Sequence, residues 1–340
     1  MRCKTLHGAL LNTTHTRDTH SIHLVPTRIV PSSHFCSRVA RDAETPMAGT
    51  ATEAVHWLLI EDPMPWGPQA LPDAEWYPAI EPELTRWRAD VPDLRVQLIR
   101  RRIKTWDAPG SIRCFVVRTG SAPVVHARYV SAYADLQHLD VPNLLTRGPA
   151  GLPDGPLVLT CTNGRRDACC AKWGRPVAQA AEQVHPEGAW QTSHLGGHRF
   201  APTVLVLPAG THYGWVDADA VPDLVDAHRH KRLFDLNHYR GRVHHLRPVQ
   251  AACIALRRQR AVDALPAVDG RVVARKSDSY KVAVDYDDAV YTAFVHATEG
   301  PSFVHSCKDD TPKPSTEWHV TWDADASPLS DPPTTKPRPA

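Results

Sequence analysis

The apolar runs of this chain are short, and proline or glycine stands at their ends. "VHWLLIEDP" (55–63) reads as a buried strand running into a proline turn. "DLRVQLIRRRI" (93–103), "IRCFVVR" (112–118) and "VVHARYV" (124–130) are alternating or apolar runs of strand length. Between the first two, residues 72–90 are expected to be helical in part, within the limits set by Pro78 and Pro82. These runs make residues 51–150 an α/β unit. No run approaches the ~18 apolar residues needed to cross a membrane. A hydrophobic fraction of 42% is enough to bury a core, and a net charge of +2 gives no bulk attraction for nucleic acid.

From residue 155 the pattern sharpens. "PLVLT" (156–160) is a short buried strand ending at Cys161, and Asn163-Gly164 is a strong turn dipeptide. "RPVAQAAEQV" (175–184) reads as a helix with Pro176 in its first turn. "AWQTS" (189–193) is a strand that delivers His194, and "TVLVLP" (203–208) with "HYGWV" (212–216) forms a hairpin. "DAVPDLVDAHRHKRLF" (219–234) is a second helix, basic towards its C-terminal end, where the helix dipole favours cations. The order β, α, β, β, β, α over 151–240 matches a small thioredoxin-like sandwich. Residues 241–325 follow as an amphipathic helix, 247–265, and a small antiparallel β unit. The fold class is therefore α/β. Residues 1–50 are expected to be disordered or an upstream extension, because 1–46 show no sustained periodicity and patterned sequence starts at Met47. The proline-rich 326–340 reads as a loose tail.

In "TSHLGGHRF" (192–200) two histidines stand four residues apart, the spacing that places zinc ligands on one helix face. Gly196-Gly197 makes a helix unfavourable there, each glycine being roughly 1 kcal/mol worse than alanine in a helix interior. His194 and His198 must then converge from a loop. Three of the eight cysteines, Cys161, Cys169 and Cys170, cluster at 161–170, a pattern of metal or redox chemistry rather than of a disulfide scaffold. Two thiolates and two imidazoles suit structural zinc or a [2Fe–2S] cluster, and such residues are also found simply buried.

"CTNGRRDACCAKWGRP" (161–176) followed by "SHLGGHRFAPTVLVLPAGTHYGWV" (193–216) resembles the sucrase/ferredoxin-like family. The resemblance extends more loosely to "WLLIEDPMPWG" (57–67), to "HYRGR" with "RPVQAA" (238–252) and to "SC" (306–307), about residues 55–322 in all. It implies a C-terminal thioredoxin-like ferredoxin domain whose cluster is held by Cys161, Cys170, His194 and His198. Cys169 is the alternative to Cys170, which the nine-residue spacing from Cys161 favours. Pro202 stands where the family usually has asparagine or a small residue.

Neutral imidazoles in place of thiolates make adding an electron easier, the reason Rieske centres have high potentials. A histidine ligand keeps a second ring nitrogen that can bind a proton and couple reduction to pH. Arg165, Arg166 and Asp167, between the cysteines, are expected to tune the cluster or dock a partner, with a solvated turn and a local ion pair the equal alternative for Asp167. Trp173 and Trp190 read as core, Cys114 and Cys253 as structural, and the histidines of 228–245 as a basic helix end and linker. The expected function is single-electron transfer with an unidentified redox partner protein, in the cytoplasm, rather than catalysis. A zinc module on the same four ligands is the alternative. A sucrose-hydrolysing enzyme is a weaker one, because nothing near the ligands supplies the two carboxylates that glycoside hydrolysis uses.

Overall fold

The computed structural model describes residues 35–101, 111–148 and 155–323. Residues 1–34 and 324–340, which hold most of the two expected loose ends, lie outside the described residues. Residues 35–50 do not behave as a loose end: they carry helix α1 (Cys36–Asp42), with Cys36 and Ala40 fully buried. Seven residues are too few to show helical periodicity, and α1 is held by what it packs against.

Strand β1 (His56–Glu61) explains the expected α/β layer. Leu58 and Ile60 face one core, with Ile80, Leu84 and Trp87 of helix α2 (Tyr77–Asp90). Trp57 and Leu59 face the other, so the run is apolar on both sides, as a central strand requires. Strand β2 (Leu94–Arg100) pairs parallel with β1. Strand β3 (Ile112–Arg118) pairs antiparallel on the other side of β1, and β4 (Val124–Val130) pairs with β3. Helix α3 (Val141–Thr146) closes this half, with Asp140 capping its first turn by accepting from the Asn143 N–H at 3.2 Å.

The second half repeats the expected order. Strand β5 (Leu157–Cys161), helix α4 (Ala168–Val184) and strand β6 (Ala189–Thr192) form a parallel crossover unit. Strands β7 (Val204–Leu207) and β8 (Thr211–Tyr213) make the hairpin, with β7 antiparallel to β5. Helix α5 (Val221–Arg229) and strand β9 (Tyr239–Arg242) follow. β2 also bonds β6, Ile99 opposite Thr192, so the units expected at 51–150 and 151–240 share one nine-stranded sheet ordered β4-β3-β1-β2-β6-β5-β7-β8-β9. Helix α6 (Arg247–Arg260) packs Val249, Ala252 and Leu256 on a separate four-stranded antiparallel sheet. Its strands are β10 (Val268–Lys276), β11 (Ser279–Tyr286), β12 (Ala289–Phe303) and β13 (Lys313–Trp322). No helix among the described residues is long and apolar enough to cross a membrane.

Three helices differ from the expected bounds, α6 in ending at Arg260 rather than 265, where Ala261 has a left-handed backbone, φ 53°. α4 starts at Ala168, seven residues before the expected start, so Pro176 lies inside the helix. Asp167 sets that start by accepting from the Cys169 N–H at 3.0 Å, a side-chain cap that outweighs the interior proline. Gly174 lets the helix sit directly on β5, since a Cβ there would meet the Cys161 carbonyl oxygen at 2.1 Å. α5 ends at Arg229 rather than 234, and Lys231 just beyond it has a left-handed backbone, φ 54°.

Candidate metal centre

Register delivers the first two donors. Cys161 ends β5 directly opposite Thr192 of β6, and the Thr162 N–H bonds the Thr192 carbonyl at 3.1 Å. Cys161 and His194 thus leave neighbouring parallel strands at the same end of the sheet, where crevices form in such sheets. Cys170 comes from the first turn of α4, aimed back at β5.

The loop after His194 is fixed at every carbonyl. Arg95 Nη2 donates to His194 O at 3.0 Å, Thr52 Oγ1 to Leu195 O at 2.5 Å, and Arg240 Nη1 to Gly196 O at 3.1 Å. Gly196 and Gly197 have φ of 101° and 73°, where side chains are strained. There is also no room, because a Cβ would sit 2.7 Å from Thr52 Oγ1 or 2.5 Å from Arg240 Nη2. The glycine pair folds the loop back and brings the two imidazoles to 5.0 Å between ring centroids.

His194 Nδ1 lies 3.9 Å from Cys161 Sγ and 3.8 Å from Cys170 Sγ, and the three donor atoms all fall within 4.8 Å of one another. His198 stands beside this group rather than in it. Its Nε2 is 3.7 Å from Asp167 Oδ2, and its Nδ1 is buried with no hydrogen-bond partner. An orphaned buried ring nitrogen next to two thiols and a second imidazole fits a metal of thiolate and imidazole affinity. Both sulfurs are buried, whereas both imidazoles are partly exposed.

The charges are arranged for a metal too. The Cys170 thiol bonded to Cys161, with His194 beside it, holds Cys161 well below the ordinary thiol range, while that same bond and burial push Cys170 up. Burial pulls His198 down, against the attraction of the Asp167 carboxylate, so its ring is kept neutral, the form that ligates.

Of the residues singled out from sequence, Cys161, Cys170 and His194 come together with His198 alongside. Cys169 faces away from them, because successive helix residues point about 100° apart. Arg165 and Arg166 are exposed on the connecting turn. Asp167 does not lie in a solvated turn: it is fully buried and accepts from Ser306 Oγ at 2.8 Å and from the Cys307 N–H at 2.9 Å. Trp190 is core, and Trp173 is half-buried with its ring edge-to-face on Phe35. The 228–245 histidines divide: His228 is buried against Tyr213, and His245 Nε2 meets Asp269 Oδ1 at 2.6 Å.

Arg95, Thr52 and Arg240 were not legible as site residues. Arg240 is buried, and besides the loop it binds His212 Nε2 at 3.0 Å and Thr50 Oγ1 at 3.1 Å. A buried arginine in a strand shows no periodic signal, and its partners lie 28 to 190 residues away.

Among known proteins, no curated protein matches the chain, and no solved structure matches it. A family model does: the one described as sucrase/ferredoxin-like matches residues 47–241, the stretch that holds all four donors. That is more than half of the 340 residues, and the chain belongs to the sucrase/ferredoxin-like family.

Proposed function

We propose that this protein carries single electrons on a [2Fe–2S] cluster held by Cys161, Cys170, His194 and His198. The observation that carries the reading is the meeting of two buried thiols with His194 Nδ1, beside an imidazole whose buried Nδ1 has no partner. Such a cluster supplies one-electron chemistry without a substrate pocket. The buried thiols form the inner end of the site and the partly exposed imidazoles the outer end, where an electron enters or leaves. Asp167 Oδ2 faces His198 Nε2 and orients that ring from behind, as carboxylates do for ligating histidines. The exposed Arg165 and Arg166 offer a cationic edge to an acidic redox partner. Free thiols at the centre suit a reducing compartment, so we place the protein in the cytoplasm.

Zinc on the same residues is the second reading. It is favoured by the 3.8–3.9 Å sulfur–nitrogen spacing, which is that of neighbours around one tetrahedral ion. Sucrose hydrolysis has less support, because Asp167, the carboxylate at this site, is fully buried and already hydrogen-bonded, and a glycosidase needs two flanking its bond. Iron and sulfide analysis of anaerobically purified protein, with EPR after reduction, tests the proposal. About two irons and two sulfides per chain and a reddish-brown colour are expected. Colourless protein whose metal sits on these four residues as zinc would overturn it.

A further inference from the structure

On the other side of Cys170, three sulfurs from distant parts of the chain meet. Cys36 Sγ is 3.6 Å from Cys169 Sγ, Cys169 Sγ is 3.2 Å from Cys307 Sγ, and Cys307 Sγ is 3.7 Å from Cys36 Sγ. Asp167 Oδ1 lies 3.8 Å from Cys36 Sγ. All four donor atoms are within 4.8 Å of one another, and only Cys307 is partly exposed. We propose that Cys36, Cys169, Cys307 and Asp167 form a second metal site, a closed tetrahedral zinc site of three thiolates and one carboxylate oxygen.

The spacing selects the kind of metal. With zinc–sulfur bonds of 2.3 Å, two thiolates on one tetrahedral ion stand about 3.8 Å apart. Two of the three sulfur pairs are at that edge length, and the third opens by about 0.5 Å on binding. A disulfide would join two sulfurs at about 2.0 Å and strand the third, here in contact with both. The donors also suit a hard-to-replace ion without redox chemistry, because thiolates bind zinc strongly and zinc leaves no open position once four are engaged.

The surroundings are those of ligated thiolates. The Ser37 N–H donates to Cys169 Sγ at 3.4 Å and the Cys36 N–H to Cys307 Sγ at 3.5 Å. Asp167 is held by Cys169 N–H, Ser306 Oγ and Cys307 N–H, which leaves Oδ1 a lone pair facing the sulfurs. α1, the start of α4 and the β12–β13 connection would thus be tied at one point. Two of the four donors, Cys36 and Cys307, fall outside the 47–241 family match, so that match does not cover the complete site. It is also independent of the iron–sulfur reading.

Metal analysis of the full chain, purified without chelator, tests it, with cobalt substitution of the metal-free protein as a second measure. About one zinc per chain is expected, and cobalt in its place should give strong thiolate charge-transfer absorption. Cys36→Ser and Cys307→Ser should lower zinc at least about tenfold with iron unchanged, whereas Cys161→Ser should do the reverse. Cys307→His, at the partly exposed ligand, should keep zinc while weakening the charge-transfer band. That variant answers the question even where Cys36→Ser fails to fold. Wild-type protein that holds no zinc and takes up no cobalt overturns the proposal, as does zinc retained by Cys307→Ser. Zinc lost from Cys161→Ser but kept by Cys307→Ser overturns this proposal and the iron–sulfur reading together. Iron absent with zinc lost from Cys307→Ser sinks only the latter.

Discussion

Cys169 and Cys170 are adjacent in sequence and turn into different groups on either side of the start of α4. Cys170 joins Cys161 and the two histidines, all from residues 161–198 and hung on α4, on strand ends or on the glycine loop after β6. Cys169 joins Cys36 and Cys307, which are 271 residues apart and come from a short helix and from a connection in the second sheet. The first group is positioned by sheet register and by a loop whose carbonyls Arg95, Thr52 and Arg240 hold one by one. The second is not set by sheet register: α1 and the β12–β13 connection meet α4 through the sulfurs and Asp167, through Phe35 on Trp173, and through Lys308 Nζ on the Arg165 carbonyl. Donor chemistry differs in parallel. On the two proposed readings, partly exposed imidazoles suit the first group to an electron that comes and goes, whereas sulfur and oxygen, buried except at Cys307, suit the second to an ion that stays.

The sharpest way to break this contrast is to change the two neighbours separately. Cys170→Ser should lower iron at least about tenfold, with loss of visible absorption, while Cys169→Ser should lower zinc and leave iron within about twofold. Parallel iron and zinc analysis reads both. Equal loss of both metals in both variants would mean that the two groups are one site.

The contrast also governs what the sequence made legible. A glycine pair between two histidines, and two cysteines nine apart after an apolar strand, are local patterns, and local patterns survive in a linear reading. The α/β class and the strand order of 155–216 were legible for the same reason, each strand being a compact apolar run. Cys36 lay in a stretch without periodicity, and Cys307 in an "SC" that the family resemblance touched without giving it a partner or a role. Nothing local marks residues that meet only after two sheets are built. Asp167 shows the same limit: its burial comes from Ser306 and Cys307, which no turn rule at 163–167 can see.

A second change sharpens the electron-transfer side. His194→Cys puts a charged thiolate where a neutral ring stood, so the reduced state meets more negative charge. The potential should fall by about 100–300 mV and its dependence on pH should weaken, measured by redox titration followed by EPR. An unchanged potential would remove His194 from the ligand set.

Asp167 is where the two groups touch, since it faces His198 as well as the sulfurs. Asp167→Ala removes the α4 cap, about 1 kcal/mol, and leaves the partly buried donors of Ser306 and Cys307 unmatched, about 1–3 kcal/mol. A loss of about 2–4 kcal/mol is expected in urea unfolding. Asp167→Asn should lose about half of that, because an amide still caps α4 but offers one oxygen where two are used.

The smallest effect separates acid release of metal from acid unfolding. Thiolate and imidazole ligands must be deprotonated to bind, so acid should empty both groups, and a fall in stability at low pH could be credited to either. His228 supplies a source remote from both. It sits in the last turn of α5 with Tyr213 OH at 2.9 Å and Thr211 Oγ1 at 3.2 Å from Nε2, and burial pulls its pKa down to about 3. In the unfolded chain the ring titrates near 6.5, so above that pH both states are neutral and His228 contributes no pH dependence. Between 6.5 and 3 the unfolded chain binds the extra proton, so stability falls as pH falls, by about 2 kcal/mol at pH 5. His228→Gln keeps an acceptor for Tyr213 and does not titrate. The loss in urea-unfolding stability from pH 7 to pH 5 should therefore be about 2 kcal/mol smaller in the variant than in wild type. Metal content measured alongside should be the same in both proteins at each pH. Equal acid losses in the two proteins would return the whole effect to the thiolates and imidazoles around α4.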